Sequence, residues 1–339
     1  MKKIICFLLS LFLVSSLFGC SGKEKYTIEI NGEGFPKGVY TYYLDKVMRS
    51  PGEYSIKNDD KDKIQAKALE LCKQCTATDN YMKKNSITLD LYLKSDAAQK
   101  TESLWSMFSA HYKSLGIAKT DITRINTYEA QKQKLLQLFY GEGGKEEVSQ
   151  DDLKQKFVEL YVGFKGFEVP LTKTNAKGEV VDMIASEKKE VENNLRKIVD
   201  KINDGQSIDA ANRSYMSSQG LVVTDELELI LTKRNDPMYD DGFFDKVASL
   251  SHGKTAIVKS GKSIYVVQRE RIASDDNDAF EQYKTEILET MKMPSLEKTI
   301  TNWATKLEAT VNEKETNMIY NSLLSDEKQK KGHSTQPVK

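Results

Sequence analysis

Two cysteines three residues apart are the first residues in this sequence whose types and spacing could do chemistry. Cys72-x-x-Cys75 has the spacing of a dithiol redox motif, which works when a helix N-terminus lowers the pKa of one thiol. Here the pair falls in the middle of a helical pattern, on one stripe with Ile64, Ala68, Leu71 and Met82. Two small buried hydrophobes are the favoured reading, and a bond between them would strain regular helix geometry. The 3 histidines are scattered. His111 lies beside Phe108 and Leu115 at helical spacing and reads as a partly buried helix residue. His252 precedes Gly253 in a turn, and His333 sits in a polar C-terminal stretch. No histidine or cysteine spacing suits a metal, and neither a Gly-rich phosphate loop nor a Ser-His-Asp order occurs, so no metal and no cofactor is expected.

Composition narrows the classes further. The 339 residues suffice for one large domain or two modest ones. Hydrophobic residues at 39%, charged residues at 29% and only 6 Pro describe a chain that mostly folds. Lys+Arg (50) balance Asp+Glu (50), which removes the basic footprint needed to grip phosphates, so nucleic acid is not an expected partner.

The first residues carry an address. Lys2 and Lys3 precede an apolar run from Ile4 to Phe18, short of the roughly 20 residues that span a bilayer and shaped like a secretory signal. Leu17-Phe18-Gly19-Cys20-Ser21 resembles the lipobox of bacterial lipoproteins. That resemblance implies cleavage after Gly19, a diacylglycerol on the Cys20 thiol, and a chain tethered outside the cytoplasmic membrane; each buried CH₂ contributes about 0.8 kcal/mol to such an anchor. The plainer alternative is a cleaved signal with a free cysteine near its end.

Beyond a spacer at 21–27, Ile28 to Glu33 alternates into an Asn31-Gly32 turn. Helical stripes follow from Val39 to Met48, from Asp60 to Lys84 with Asp59 or Asp60 as N-cap, through Leu89 to Leu115 with Leu104, Trp105, Phe108 and His111, and through Tyr128, Leu135, Leu138 and Phe139. Gly141 to Gly144 breaks the pattern, and Ser149-x-x-Asp152 opens a linker helix with Leu153, Phe157 and Leu160 inward. Periodicity then changes. Tyr161 to Val169 reads as a strand, followed after Pro170 by a polar loop with Asn175 and Gly178. Ser186 to Asn203 is an amphipathic helix stopped at Asp204-Gly205, and a second helix opens at Ser207. Leu221 to Val223 and Leu227 to Leu231 are strand-like, Phe243 to Leu250 a short helix, and Thr255 to Gln268 a hairpin turning at Lys259 to Lys262. Asp278 to Leu307 is helical again, Pro294 marking a bend or break, and residues 325–339 are polar and expected to be disordered.

This order resembles the PrsA and SurA class of extracytoplasmic foldases over nearly the whole mature chain. The resemblance implies an α+β protein: a mainly helical chaperone domain formed by N- and C-terminal segments, with an inserted parvulin-like α+β module. In residues, it implies a signal at 1–19, lipid anchor and spacer at 20–27, helical chaperone domain at 28–150, parvulin-like (peptidyl-prolyl isomerase) domain with linker helix at 151–277, closing helices at 278–312 and a polar tail at 313–339. The family's two histidines fall on Gly166 and Ser263 here, and its Cys or Asp partner is not placed, Tyr161 to Ile272 containing no cysteine. The apolar cup that receives proline is partly kept, as Phe243 with Met238 or Tyr239.

Rotating a prolyl amide means crossing about 18–20 kcal/mol without breaking a bond, so a site need only bind the twisted amide better than the planar one. The expectation is a membrane-anchored chaperone for unfolded or newly secreted polypeptides with weak or absent isomerase activity. The alternative is a lipid-anchored envelope protein that uses the same fold to recognise one partner.

Overall fold

The computed structural model describes residues 26–57, 60–222, 226–272 and 279–333. The leader, Cys20, Asp59, Val223, Asp278 and residues 334–339 lie outside the described residues. In chain order the elements are β1 (Ile28–Ile30), β2 (Glu33–Gly34), α1 (Lys37–Arg49), a 3₁₀ turn (Pro51–Tyr54), α2 (Lys61–Lys84), α3 (Leu91–Ser114), α4 (Lys119–Tyr140) and α5 (Gln150–Leu160). There follow β3 (Tyr161–Pro170), β4 (Thr172–Thr174), β5 (Val180–Asp182), α6 (Ala185–Asn203), α7 (Ile208–Ser218), β6 (Ile230–Lys233), α8 (Phe243–Ala248), β7 (Thr255–Ser260), β8 (Ser263–Glu270), α9 (Ala279–Ala304), β9 (Ala309–Val311) and α10 (Glu313–His333). The protein is α+β. It divides into two compact units, one of residues up to Lys145 with those from Lys292 onward, the other Glu146–Met291.

In the first unit, β1 turns into β2 through Asn31 and Gly32, both at positive φ, a conformation these two residues adopt at little cost. Asp60 caps α2, its carboxylate accepting from the Lys63 N–H at 3.2 Å. The core gathers Ile28, Val39, Tyr40, Leu44, Ile64 and Ile122. Late residues close it. Strand β9 pairs antiparallel with β1, Ile28 opposite Val311 and Ile30 opposite Ala309, and α10 adds Ile319, Tyr320 and Leu323 to the same core. The tail expected from residue 313 is therefore a helix to His333. Its core residues Ile319, Tyr320 and Leu323 share one helical face, too sparse in a polar run for composition to flag.

On α3 the buried positions are Leu93, Ala97, Thr101 and Tyr112, whereas Phe108, expected inward, is 46% exposed. The aromatic residues of this helix cover a wide arc, and only part of that arc meets α4. Leu138 of α4 is likewise exposed, and Leu135 with Leu136 takes the core side.

The second unit is a four-stranded antiparallel sheet of order β6-β3-β8-β7. Because side chains alternate across a strand, Phe167 and Val169 of β3 with Ile264 and Val266 of β8 bury one face against Leu195, Ile202, Ile208 and Ala211 of α6 and α7. Val162, Phe164 and Val267 bury the other against Phe243, Phe244 and Val247 of α8. Asn203 ends α6 by acting as a strand partner: its amide donates to the Thr255 carbonyl and accepts from the Thr255 N–H, each at 3.0 Å. Gly205 follows at φ 112°, the left-handed residue that closes a helix.

Several elements differ from the sequence expectation. Leu221 and Val222 are exposed and outside any strand, and β6 begins at Ile230 because the Leu227 N–H is taken by the Asp209 carboxylate at 2.7 Å. The polar loop after Pro170 contains the β4–β5 hairpin, where the Asn175 side-chain carbonyl accepts from the N–H groups of Lys177 and Glu179. Helix α9 runs through Pro294 without a break. The two compact units divide at Lys145 and Met291; within the second, Phe280 of α9 meets Phe157 of α5 edge-on at 5.9 Å and Tyr283 stacks on it at 6.1 Å.

Candidate functional site

Alternation places Phe164, Gly166 and Glu168 of β3 on the sheet face that carries α8, and the β8 register sets Val267 opposite Gly166, Tyr265 opposite Glu168 and Ser263 opposite Pro170. Above them lies the Asn235–Gly242 loop. The Asp236 carboxylate accepts from the Thr232 hydroxyl at 3.1 Å and the Met238 N–H at 3.0 Å. The Asp240 N–H donates to Ser260 Oγ at 2.7 Å, and its carboxylate accepts from the Gly261 N–H at 2.5 Å. Between these two anchors, Tyr239 lies flat on Phe243, ring centroids 4.0 Å apart and planes at 9°. Tyr265 meets both rings edge-on at 5.5 Å, and Phe164 stands 5.6 Å from Phe243. Offset stacking and edge-to-face contacts are the favoured arrangements of aromatic quadrupoles, so the cluster is well formed and nearly closed.

Of the three expected cup residues, Tyr239 and Phe243 are brought together and Met238 is not: it is 76% exposed. Phe243 is 2% exposed, covered by Tyr239. A cavity of about 270 Å³ adjoins the stack, lined among others by Arg234, Asp236, Asp241 and Phe244.

Gly166 and Ser263, the two positions to which the resemblance would assign histidines, hold different arrangements. A Cβ on Gly166 would lie 2.5 Å from the Val266 carbonyl oxygen, so this backbone has no place for any side chain there. Ser263 is buried and donates its hydroxyl hydrogen bond to the Glu168 carboxylate. The same carboxylate receives the Tyr265 hydroxyl, whose pKa is pushed up to about 12 by burial first and by the Glu168 charge second. Burial, then Asp236 and Glu168, likewise raises that of Tyr239. At neutral pH both phenols are therefore neutral donors, and neither can serve as a base. Glu168, Tyr265 and Phe164 were not singled out from sequence; their signal was the alternation of β3 and β8 around Gly166 and Ser263. His252 sits in its turn away from this cluster, beside a separate cavity of about 370 Å³ lined by Val158, Tyr161 and Arg269, its pKa lowered by partial burial and by Arg269 and Arg271.

In the helical unit, Cys72 and Cys75 are free thiols, both buried. Burial pushes Cys75 up to about 11 and Cys72 well above its ordinary value, so neither is a nucleophile near neutral pH. His111 Nε2 accepts a 2.9 Å hydrogen bond from the Arg49 guanidinium. The same unit leaves large apolar side chains in water: Leu91 is 84% exposed, Tyr92 78% and Met107 66%, with Phe108 and Leu138 also exposed. Among the described residues, no cluster of three or more His, Cys, Asp or Glu could hold a metal, and no helix is long and apolar enough to cross a membrane.

No family model and no curated protein sequence matches this chain. Solved structures do. The chain is similar to PrsA foldases. The foldase PrsA of Lactococcus lactis aligns at 13% identity over 88% of this chain and 99% of its own, with a TM-score of 0.37; PrsA of Bacillus subtilis aligns at 14% over 74% and 88%, TM-score 0.33. A structure from work on PEB4 and Cj1289, described as SurA-like chaperones of Campylobacter jejuni, aligns at 11% over 85% and 98%, TM-score 0.27.

Proposed function

We propose that this protein is an extracytoplasmic chaperone for unfolded or newly secreted polypeptides, held at the bacterial membrane by a lipid on Cys20, with weak or absent peptidyl-prolyl isomerase activity. The observation that carries the reading is the set of exposed apolar side chains on α3 and α4: Leu91, Tyr92, Met107, Phe108 and Leu138. Scattered single apolar residues are ordinary on a surface, but several large ones on one helical pair fit recognition of apolar chain segments. They need no specific sequence in the client. In this reading residues 28–150 and 278–312 form the chaperone domain and 151–277 an inserted parvulin-like module.

The module would present its aromatic face, with Met238, Tyr239 and Phe243, to a client's proline. Catalysis there is weak for a physical reason. Stabilising a twisted amide needs an open apolar slot and donors aimed at the amide, whereas Phe243 is covered, Ser263 already serves Glu168, and position 166 has no side chain.

The test follows refolding of a model protein limited by a prolyl bond, with and without the chain starting at Ser21, while light scattering is recorded in the same cuvette. Reduced scattering with an unchanged slow phase is expected. A faster slow phase would show catalysis, and no effect on either signal would favour a binding protein dedicated to one partner.

A further inference from the structure

Position and surroundings make the ring of Tyr239 the present occupant of the aromatic cup. It covers Phe243 in a parallel stack at 4.0 Å and is flanked edge-on by Tyr265, the contacts a flat ring from a peptide would make there. Its loop is held at both ends but not at the ring: Asp236 is fastened to Thr232, and Asp240 to Ser260 and Gly261. Between these fasteners the Met238 and Tyr239 N–H groups also bond to Asp236, so the turn itself is fixed and the freedom left is rotation of the Tyr239 side chain. Asn235 and Gly242, at either end of the loop, have φ of 58° and 85°, and the cavity of about 270 Å³ bordered by Tyr239 gives a displaced ring somewhere to go.

We propose that Tyr239 is a built-in competitor: its ring closes the cup over Phe243, and a client's prolyl residue enters only when that ring rotates into the adjoining cavity. The inference rests on reading this face as the peptide-binding face. It adds that the site is present but self-occupied, so that its weakness comes from one removable side chain as well as from the absent histidines. An occupied site binds with its intrinsic affinity multiplied by the fraction of time it stands open. Stacked aromatic pairs are stable enough to hold that fraction near one tenth, since tenfold corresponds to about 1.4 kcal/mol.

The experiment compares the chain from Ser21 with its Tyr239→Ala, Tyr239→Met and Tyr239→Phe variants. Each is titrated with a fluorescent unstructured peptide containing Ala-Pro and with the same peptide containing Ala-Ala, by anisotropy, and cis/trans exchange of the Ala-Pro bond is read by NMR. Tyr239→Ala is expected to bind the Ala-Pro peptide about tenfold tighter with no gain for Ala-Ala, and Tyr239→Phe, which keeps the stack, to match the parent. Where Tyr239→Ala loses its cooperative melt, Tyr239→Met is read in its place, because a flexible thioether keeps the packing while removing the flat ring. Equal affinity of parent and variants for Ala-Pro, or an equal gain for both peptides, overturns the proposal. Scattering assays run on the same proteins separate the two ideas: suppression of aggregation without an Ala-Pro gain sinks the competitor alone, and an Ala-Pro gain without suppression sinks the chaperone reading alone.

Discussion

Replacing Leu323 by alanine tests whether the last described helix is a structural part of the helical unit. Leu323 is 3% exposed and packs in one core with Ile28, Val39, Leu44 and Ile64. Truncating a buried leucine removes transfer energy and leaves a cavity, together about 2–5 kcal/mol. With about 2–4 °C of melting temperature per kcal/mol for a unit of this size, a loss of about 3 kcal/mol lowers the melt by roughly 6–12 °C. Stopping the chain after Asn312 is harsher. It removes Ile319, Tyr320 and Leu323 together, each contributing about 1.5–3 kcal/mol of burial, an upper bound of about 5–9 kcal/mol against a whole stability of about 5–15 kcal/mol. The helical unit of that shortened chain should lose its cooperative transition by far-UV circular dichroism. Met318→Ala, on the same helix but 62% exposed, is the control and should change stability by less than about 0.5 kcal/mol. Leu323→Ala melting with the parent, or the shortened chain melting cooperatively at the parent temperature, would refute the shared core.

Three further outcomes follow. Cys72 and Cys75 should resist a water-soluble thiol reagent in the native protein at pH 8 and react fully in denaturant; rapid reaction of either in native buffer would contradict their burial. Gly166→Ala should destabilise the second unit by about 1–3 kcal/mol, since its Cβ would press on the Val266 carbonyl and the strands must shift, measured as a lower melting midpoint. Glu286 has its carboxyl pKa below the ordinary 4.5, first through its hydrogen bond with Lys233 and also through one with Tyr161. A depressed carboxyl stabilises the fold above its unfolded pKa and loses that contribution as pH falls through its folded value. The pair is about half exposed, so Glu286→Gln should cost under about 1 kcal/mol at pH 7, with the difference from the parent shrinking as pH is lowered past 4; a difference that grows on acidification would reverse the sign.

What was legible in the sequence were features written in local pattern. The caps at Asp60 and Ser149, the stop at Asp204-Gly205, the β7–β8 hairpin and the buried stripe through Cys72 and Cys75 all depend on neighbours within a few residues, and each was read in place. Strand β9 was missed because three residues, Ala309–Val311, become a strand only by pairing with β1 at the other end of the chain. The same holds for α10, whose three core residues mean nothing without the partners they meet. At the candidate site, Phe243 with Met238 or Tyr239 was named through the family resemblance, not from periodicity. That Tyr239 lies on Phe243, and that Met238 faces water, depends on the Asp236 and Asp240 hydrogen bonds, which link residues whose pairing no periodicity reveals.

The most direct test of the chaperone account removes the exposed apolar surface and leaves the fold alone. Leu91, Tyr92, Met107 and Phe108 are replaced together by serine in the chain from Ser21, and light scattering is followed as a chemically denatured client is diluted into parent or variant. The account predicts that the parent suppresses scattering, and that the variant, melting as the parent does, loses most of that suppression. A variant as effective as its parent, or a parent without effect, would contradict it.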